Sequence, residues 1–326
     1  MRVAVVGAGA FGRNHLRVYR ELEQAGVAVE LAAVVDRDAD ARAVATAQFG
    51  VRGFPTIEDC LNTLGGLDAA SVCVPTVAHA KCAATLLAAG VDLLIEKPLA
   101  ASLAEADEIV RLAREHARIV QVGHLERFNP AVGAVRGLLN RPMFFEVHRL
   151  SVFTPRSLDV DVVLDLMIHD LDIVMSLVNS PVREVRAVGL AVLSAKVDIA
   201  NVRLEFEIGC VANFTASRVS TERVRKMRFF QPRQYLSLDF ARQDLLLIDV
   251  SDANAAALGG HPSAGLSLRK IPVEAGEPLR LELAAFLDAV RTRSAPVVTV
   301  EDGRAALGLA LEINAAIAAH SRRTGL

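Results

Sequence analysis

Residues 3–12 of the chain read VAVVGAGAFG, an apolar run that ends in three glycines spaced as G-x-G-x-x-G. A helical run follows from Arg13, so the glycines lie between a predicted strand and a predicted helix. Gly7 permits a tight turn, Gly9 lets the backbone approach a pyrophosphate, and Gly12 lets the helix pack on the strand. The helix N-terminus offers N–H groups and a positive dipole to phosphates. This segment therefore predicts a dinucleotide-binding turn.

The second apolar strand, residues 30–35, ends in Asp36. A carboxylate at that position can accept hydrogen bonds from both hydroxyls of an adenosine ribose. It also repels a 2′-phosphate and so favours NAD, although Arg37 could relieve the repulsion and keeps NADP possible. The alternative is a structural turn with an incidental aspartate. Strand, glycine turn, helix and aspartate together favour the cofactor site.

Composition restricts the classes of protein to which the chain can belong. Its 326 residues suit two domains, and 52% of them are hydrophobic. No apolar run reaches the length of a membrane span, and the N-terminus starts in a strand with no leader pattern, so we expect a cytoplasmic protein. The net charge of −2, with acids and bases interspersed, indicates neither a nucleic acid nor a membrane partner. Cysteines without C-x-x-C spacing predict no metal site; they are Cys60, Cys73, Cys82 and Cys210.

Up to about Gly123 predicted strands alternate with predicted helices. The strands are near-continuous runs of Val, Ile, Leu and Ala, which indicates burial on both faces and a parallel, doubly wound sheet. A cofactor then lies across the carboxyl ends of the strands. Polar groups follow three of these ends: Pro75, Thr76 and His79, then Glu96 and Lys97, then His124. We expect all of them on the cofactor side of the sheet.

A different pattern begins after Gly123, and we place the domain boundary between residues 124 and 125. Alternating segments predict antiparallel strands, with an apolar helix at 162–177 and further helices at 279–291 and 303–320. The region 251–276 is predicted to be a loop. The second domain, 125–326, is thus an α+β domain with an open, largely antiparallel sheet. Its predicted strands cover residues 144–151, 182–193, 201–206, 210–217, 234–239 and 244–249.

Lys97 is the first candidate for chemistry. It lies between Glu96 and Pro98 just past a buried strand, where the proline restrains the backbone. A lysine at the mouth of a cleft can act as an acid or base, or can hydrogen-bond a reacting oxygen. The alternative is an ordinary surface lysine paired with a carboxylate.

A second candidate group occupies residues 165–172, DLMIHDLD, within the predicted apolar helix. Asp165 and His169 are four residues apart and share a helix face, so the carboxylate can orient the imidazole. A lone histidine in such a helix is usually a satisfied core residue. Three acids beside it make complete burial of this segment energetically unfavourable and favour a group that faces a cleft.

Further residues could bind an anionic substrate, although arginines at a surface need no such function: His124, Arg127, Asn129 and Arg156.

These motifs, in this order and spacing, resemble the Gfo/Idh/MocA oxidoreductase family. The resemblance rests on the glycine turn, on Val74-Pro75-Thr76 with His79, on Glu96-Lys97-Pro98 and on Asp165-x-x-x-His169, and it extends to the helix start at 301–304. It implies a Rossmann domain, a second α/β domain whose sheet forms homodimers or homotetramers, and hydride transfer between a sugar-like alcohol and NAD(P). It also implies Lys97 and His169 as catalytic residues, positioned by Asp165. The cofactor-binding residues are then Gly7, Gly9, Ala10, Phe11, Gly12, Asp36, Arg37, Pro75, Thr76, His79 and Glu96.

More narrowly, residues 123–130 (GHLERFNP) and 163–170 (VLDLMIHD) are similar to a bacterial subfamily that oxidises the 3-hydroxyl of UDP-N-acetylglucosamine. A sugar or nucleotide-sugar substrate is therefore expected. The chain departs from the wider family at Val160, Asp161 and Met167, where many relatives carry glycine, and this could reshape the sugar pocket. Two alternatives stay open: a cyclitol dehydrogenase of the inositol type, and a non-catalytic NAD-sensing protein with the same fold.

Overall fold

A computed structural model describes residues 1–154, 160–250 and 266–325. These residues form two units. The first unit comprises Met1–Leu125 and Glu277–Leu307, and the second comprises Glu126–Gly276 and Gly308–Leu326. In the described ranges no helix combines the length and apolar character needed to cross a membrane.

Strands and helices are numbered along the chain. The strands are β1 Arg2–Val6, β2 Glu30–Val35, β3 Arg52–Phe54, β4 Ala69–Val72, β5 Asp92–Glu96, β6 Val120–Gly123, β7 Phe144–Val152, β8 Val182–Leu190, β9 Ile199–Phe206, β10 Val211–Ser220, β11 Val224–Gln231, β12 Gln234–Asp239, β13 Asp244–Val250 and β14 Leu266–Ile271. The helices are α1 Ala10–Gln24, α2 Ala39–Phe49, α3 Ile57–Leu64, α4 His79–Ala88, α5 Leu103–Glu115, α6 Pro130–Arg136, α7 Ile168–Val178, α8 Pro278–Thr292 and α9 Val300–Thr324.

The first unit contains a six-stranded sheet in the order β3-β2-β1-β4-β5-β6, with every neighbouring pair parallel. All residues of β4 and β5 are buried, as expected for strands that are covered on both faces. The prediction of a doubly wound parallel sheet is thus confirmed. The strand order reverses between β1 and β4, and ligands of such sheets bind outside the carboxyl ends at this point.

Helix α8 belongs to the first unit, although it follows residues 126–276 of the second unit in sequence. Its residues Leu283 and Phe286 are fully buried and join one hydrophobic cluster with Leu16 and Tyr19 of α1. The structure therefore divides the chain differently from the boundary at 124/125, because residues 277–307 pack with the first unit. The apolar pattern of α8 predicts a buried face but not which domain it covers.

The second unit contains an eight-stranded sheet in the order β14-β13-β12-β11-β7-β10-β9-β8. Its neighbouring pairs are antiparallel except β7 with β10, which run parallel. Alternate residues of β9 and β10 are buried, so one face of the sheet carries the core. Phe145 and Phe229 stack across β7 and β11, with ring centroids 5.3 Å apart. The largely antiparallel second sheet is confirmed.

Three strands are absent from the sequence prediction: β3, β11 and β14. Strand β3 is three residues long and contains Gly53, so its pattern is too short to detect. Strand β11 reads VRKMRFFQ. It buries Met227 and Phe229, which are two residues apart, but its basic residues make the alternation of apolar and polar residues hard to detect. Strand β14 falls within the stretch 251–276 predicted to be a loop, and this expectation is wrong for 266–271. Residues 251–265 lie outside the described ranges.

Candidate active site

The glycine turn follows β1, at the point of the first unit's sheet where the strand order reverses. Gly7 has φ +103°, and a Cβ added there would lie 2.6 Å from the carbonyl oxygen of Cys73, so the ends of β1 and β4 approach closely only with glycine. A Cβ on Gly12 would overlap the carbonyl oxygen of Gly7. Gly9 differs, because a Cβ there would meet no described atom within 4 Å. The protein's own packing does not require glycine at that position, and the open space fits a pyrophosphate.

The N-terminus of α1 faces the same turn. Gly9 occupies the N-cap and has no side chain to cap the first N–H groups of the helix. These groups carry the positive end of the helix dipole, which suits an anionic ligand. The next residues, Ala10 and Phe11, are both exposed, and Phe11 packs its ring 5.4 Å from that of His15. The donor set at the turn therefore fits a dinucleotide pyrophosphate.

Asp36 is fixed beside this turn. One carboxylate oxygen accepts a hydrogen bond from the backbone N–H of Ala8 at 2.6 Å, and the other accepts from Asp38 at 2.9 Å. Asp36 is half-buried, and Arg37 beside it is exposed. The carboxylate is thus held at the end of β2, next to the glycine turn, where an adenosine ribose would be bound.

His79 joins the loops that follow β4 and β5. Its Nδ1 lies 3.0 Å from the carbonyl oxygen of Pro98, and its Nε2 lies 2.9 Å from that of Val74. The ring is buried, and burial lowers the pKa of His79. His79 thereby orders the two loops, which also carry Pro75 and Thr76. Its direct contact with a cofactor stays a prediction, as does that of its two loop neighbours.

Glu96 and Lys97 mark the end of β5. Glu96 is buried and its carboxylate lies 3.1 Å from Nε2 of His15. The carboxylate also rests on Gly123 of β6, where an added Cβ would come within 2.7 Å of it. Lys97 is half-buried, and every other residue from 91 to 100 is buried. The peptide bond between Lys97 and Pro98 is cis. The lysine is therefore the accessible polar residue of this strand end.

Asp165 and His169 lie at the start of the apolar helix of the second unit. The sequence predicts a regular helix over 162–177, but the structure begins with a π-helical turn, Val163–Met167, before α7. Asp161 caps this turn by accepting hydrogen bonds from two backbone N–H groups at 2.9 and 3.0 Å. Asp165 and His169 are both half-buried. Asp161 thus has a structural function at this turn, and π-turns often mark functional sites.

The other two acids of this segment do not face a cleft. Asp170 accepts two hydrogen bonds from Arg149, both at 2.7 Å, and Asp172 accepts two from Arg127, at 2.6 and 2.9 Å. All four side chains are buried. Burial raises the pKa of Asp170, and Arg149 offsets part of the rise. The expectation of three acids gathered at a cleft is wrong for these two, because a buried carboxylate is stable only with a partner.

Two of the predicted substrate-binding residues, Arg127 and Asn129, have internal partners in the structure. Arg127 pairs with Asp172, as above. Asn129 caps α6 by accepting from Ala131, and it donates to the carbonyl oxygen of Phe240 at 3.0 Å. His124 is buried just after β6. Arg156 lies outside the described residues. Substrate contact by these residues stays a prediction.

The structure brings the predicted cofactor residues together at the carboxyl edge of one sheet in the first unit. Lys97 belongs to this unit, and Asp165 and His169 belong to the second. Two buried residues received no role from the sequence: Arg149, the partner of Asp170, and Glu282 on α8. Their contacts join residues far apart in the chain, so no local pattern reveals them. Across the described ranges, no group of three or more His, Cys, Asp or Glu side chains could hold a metal ion.

Known proteins resemble the chain over its whole length. It is 35% identical over 324 residues, 99% of each chain, to the UDP-N-acetylglucosamine 3-dehydrogenase of Acidithiobacillus ferrooxidans. A solved structure of that enzyme matches with a TM-score of 0.89 at 34% identity, covering 98% of both chains. The inositol 2-dehydrogenase of Leifsonia xyli subsp. xyli is 32% identical over 193 residues, 57% of this chain and 56% of the relative.

A more distant structure, levoglucosan dehydrogenase in complex with NADH, shares the fold with a TM-score of 0.86 at 16% identity, covering 98% of this chain and 97% of that chain. Residues 1–124 match the family model described as "Oxidoreductase family, NAD-binding Rossmann fold", and residues 132–232 match "GFO/IDH/MocA C-terminal domain". The glycine turn, Asp36 and the strand-end residues described above lie within the first of these matches. The chain therefore belongs to the Gfo/Idh/MocA family of oxidoreductases and carries its NAD-binding Rossmann domain.

Proposed function

We propose that the chain is a cytoplasmic dehydrogenase that oxidises a sugar hydroxyl with NAD, most specifically the 3-hydroxyl of UDP-N-acetylglucosamine or a related nucleotide sugar. The observation that carries the proposal is the end-to-end similarity, 35% identity over 99% of both chains, to an enzyme named for that reaction. The cofactor edge of the first unit supports it, since the glycine turn and Asp36 suit a dinucleotide.

Each group of residues has a defined task. The N–H groups at the start of α1 bind the pyrophosphate, and Asp36 binds the adenosine ribose. When bound, NAD supplies a hydride acceptor for the carbon that carries the hydroxyl. Lys97 or His169 takes the hydroxyl proton, and Asp165 orients the imidazole. Binding of both ligands in the correct orientation contributes most of the rate.

A second candidate substrate is a cyclitol such as inositol. The observation in its favour is the 32% identity to an inositol 2-dehydrogenase, which extends over only 57% of this chain. A non-catalytic NAD sensor is a third reading of the same fold, but a sensor has no need of Lys97, Asp165 and His169 together. The three functions differ in their substrate, which is a nucleotide sugar, a cyclitol or none.

The direct test is NAD reduction by the purified protein with UDP-N-acetylglucosamine, UDP-N-acetylgalactosamine or myo-inositol as the alcohol. We expect turnover with a nucleotide sugar. In Lys97→Met and His169→Ala turnover should fall by ~10²–10⁴-fold, the usual contribution of a general acid or base. NAD affinity, measured by calorimetry, should stay close to that of the wild type.

The matched control is Lys270→Met, because Lys270 is an exposed lysine on β14, an edge strand of the second unit's sheet. Its turnover should be unchanged. Full turnover in both site variants would refute the catalytic assignment. NAD binding without turnover of any alcohol would favour the sensor, and turnover of myo-inositol alone would favour the cyclitol dehydrogenase.

The assembly is part of the same proposal. The sheet of the second unit buries alternate residues of β7, while Phe144, Glu146 and His148 on the other face are half-buried. We infer that this face joins copies of the chain into a homodimer or homotetramer. Light scattering of the purified protein measures the mass directly, and a monomer at micromolar concentration would contradict the inference.

A further inference from the structure

Glu282 is an acidic residue in an unusual place. It lies on α8 with no solvent exposure, and neither of its carboxyl oxygens has a hydrogen-bond partner among the described residues. Only its backbone is engaged, since the carbonyl oxygen accepts from Nε2 of Gln121 at 3.2 Å. A carboxylate without a donor or a cation is strongly unfavourable in a protein interior, whereas a neutral carboxyl is tolerated.

A second carboxyl group lies close to it. Glu96 is buried at the end of β5, and its carboxylate is held by His15 at 3.1 Å. Burial, and then the charge of Glu96, raise the pKa of Glu282 well above its ordinary value. Two carboxyl groups that repel each other in a buried site do not both ionise at neutral pH. Glu96 has the partner, so the proton belongs on Glu282.

Glu282 also interacts with a phenol, a thiol and an amide, and none of these three groups is cationic. The hydroxyl of Tyr19 bonds Ser71 at 2.8 Å, and burial raises its pKa. Burial, Glu96 and Glu282 all raise the pKa of the Cys73 thiol. Of the described side chains, Tyr19, Cys73 and Glu96 interact electrostatically with Glu282, and Gln121 donates to its carbonyl oxygen. His15 bonds Glu96, and Ser71 bonds Tyr19.

We propose that Glu282 is a positioning residue of the cofactor site, a neutral carboxyl whose proton leaves Glu96 as the single charge beside His15. The proposal rests on the proposed function, because the strand end that Glu96 forms leads directly into Lys97. The Glu96 carboxylate fits between His15 and Gly123 with no room to move towards β6. Ionisation of Glu282 repels Glu96 and displaces this strand end. NAD affinity therefore falls when Glu282 loses its proton at alkaline pH.

The first test compares the unfolding of the cofactor-free wild type and Glu282→Gln across pH. The unfolded chain releases the proton of Glu282 above about pH 4.3, while the native protein retains it. As pH rises, the folding equilibrium constant of the wild type therefore falls relative to Glu282→Gln, by about tenfold per pH unit, until the native carboxyl also ionises. Asp288→Asn is the matched control: Asp288 is exposed on the same helix, and its curve should run parallel to that of the wild type.

The second test is infrared spectroscopy of the cofactor-free protein at neutral pH. A protonated carboxyl gives a C=O stretch distinct from that of a carboxylate. The wild type should show this band and lose it at alkaline pH, and Glu282→Gln should lack it. If the glutamine variant does not fold, Glu282→Met, which is neutral and of similar size, identifies the band.

The third readout is NAD affinity by calorimetry as a function of pH. The wild type should lose affinity over the pH range in which the band disappears, and Glu282→Gln should not. Parallel stability curves for wild type and variant, or a band that survives the substitution, would overturn the proposal. All three readouts work without a sugar, so failure to find a substrate would refute the proposed function alone.

Discussion

Each unit buries acidic residues next in sequence to a candidate catalytic residue, and the two units neutralise them by different means. In the second unit, Asp170 follows His169 and is bound by Arg149 through two hydrogen bonds. In the first unit, Glu96 precedes Lys97 and is bound by the imidazole of His15, while Glu282 has no hydrogen-bond partner in the described part of the chain. A buried acid can be stabilised by a cation or by keeping its proton, and this protein uses both solutions.

The difference predicts different responses to substitution for two clusters: Arg149 with Asp170 in the second unit, and Glu96 with Glu282 in the first. A cation-paired cluster fails when its arginine is removed, because the carboxylates are then left buried and charged. A cluster that relies on a proton tolerates a neutral amide at the protonated position. The second unit should therefore depend strongly on single arginines, and the first on pH.

The largest effect is expected for Arg149→Met, which leaves Asp170 without its cation in the interior of the second unit. Loss of one partner from a buried ion pair typically costs ~3–5 kcal/mol of unfolding free energy. Urea denaturation followed by circular dichroism measures this cost. Arg149 also lies over the ring of Phe240 at 5.3 Å, a contact that the variant loses as well.

Arg228→Met is the matched control for this change. Arg228 lies on the neighbouring strand β11 and pairs with Glu146 at 3.5 Å, but the two side chains are 40% and 39% exposed. An exposed pair contributes ~0–1 kcal/mol. Equal losses in the two variants would show that burial of the pair does not matter, and the contrast between the units would then be wrong.

The next effect concerns Asp198, a fully buried acid in the second unit. It accepts hydrogen bonds from the backbone of Val192, Leu193 and Ser194, from the Ser194 hydroxyl and from Arg218. Burial raises the pKa of Asp198, but these hydrogen bonds outweigh burial and hold the pKa below its ordinary range. Asp198→Asn should lose ~1.5–3 kcal/mol, the usual contribution of hydrogen bonds to a charged group.

The pH dependence of this loss is opposite to that of Glu282. Because the native pKa of Asp198 is depressed, its contribution is complete above the unfolded value of ~3.9 and disappears as pH falls through the native one. The stability gap between wild type and Asp198→Asn should stay constant from pH 5 to 9 and narrow in acid. Denaturation curves at several pH values measure it, and a gap that widens towards low pH would contradict the assignment.

The smallest effect is expected for Glu126→Gln. Glu126 accepts from Arg149 at 3.0 Å, but the arginine keeps both of its hydrogen bonds to Asp170. The loss should be ~0.5–1.5 kcal/mol. In the Arg149→Met background the same change should have less effect, since its partner is already gone. Full additivity in this double-mutant cycle would place Glu126 outside the cluster.

Much of the fold could be predicted because its signals are local. The glycine turn with Asp36, the buried parallel strands and the alternating strands of the second sheet each follow from neighbouring residues. Asp38 and Ser102 cap α2 and α5 by accepting hydrogen bonds from Ala41 and Glu105, a common function of these residue types at helix starts. Strand β3 is too short to leave such a signal. In β11 the alternation is broken, because Arg225 lies in line with the buried Met227 and Phe229, and Phe230 is exposed.

The candidate site was predictable only in part, because its supporting contacts are not local. The pair of Arg149 with Asp170 joins residues 21 apart, and that of Arg127 with Asp172 joins residues 45 apart. Neither spacing corresponds to a helix turn or a hairpin. The sequence therefore does not reveal the arginine partners of Asp170 and Asp172, and the two acids are grouped with Asp165 and His169. Glu282 is harder still, since a single glutamate on an amphipathic helix normally faces water.

The membership of α8 in the first unit has a consequence for synthesis of the protein. The helix supplies Leu283 and Phe286 to the hydrophobic cluster that contains α1. The ribosome makes the whole stretch 126–276 between these two partners. Until α8 emerges, the nascent Rossmann sheet exposes the apolar surface that the helix covers, which is a target for chaperones. The part of the chain made first therefore completes its core only after most of the second unit has been made.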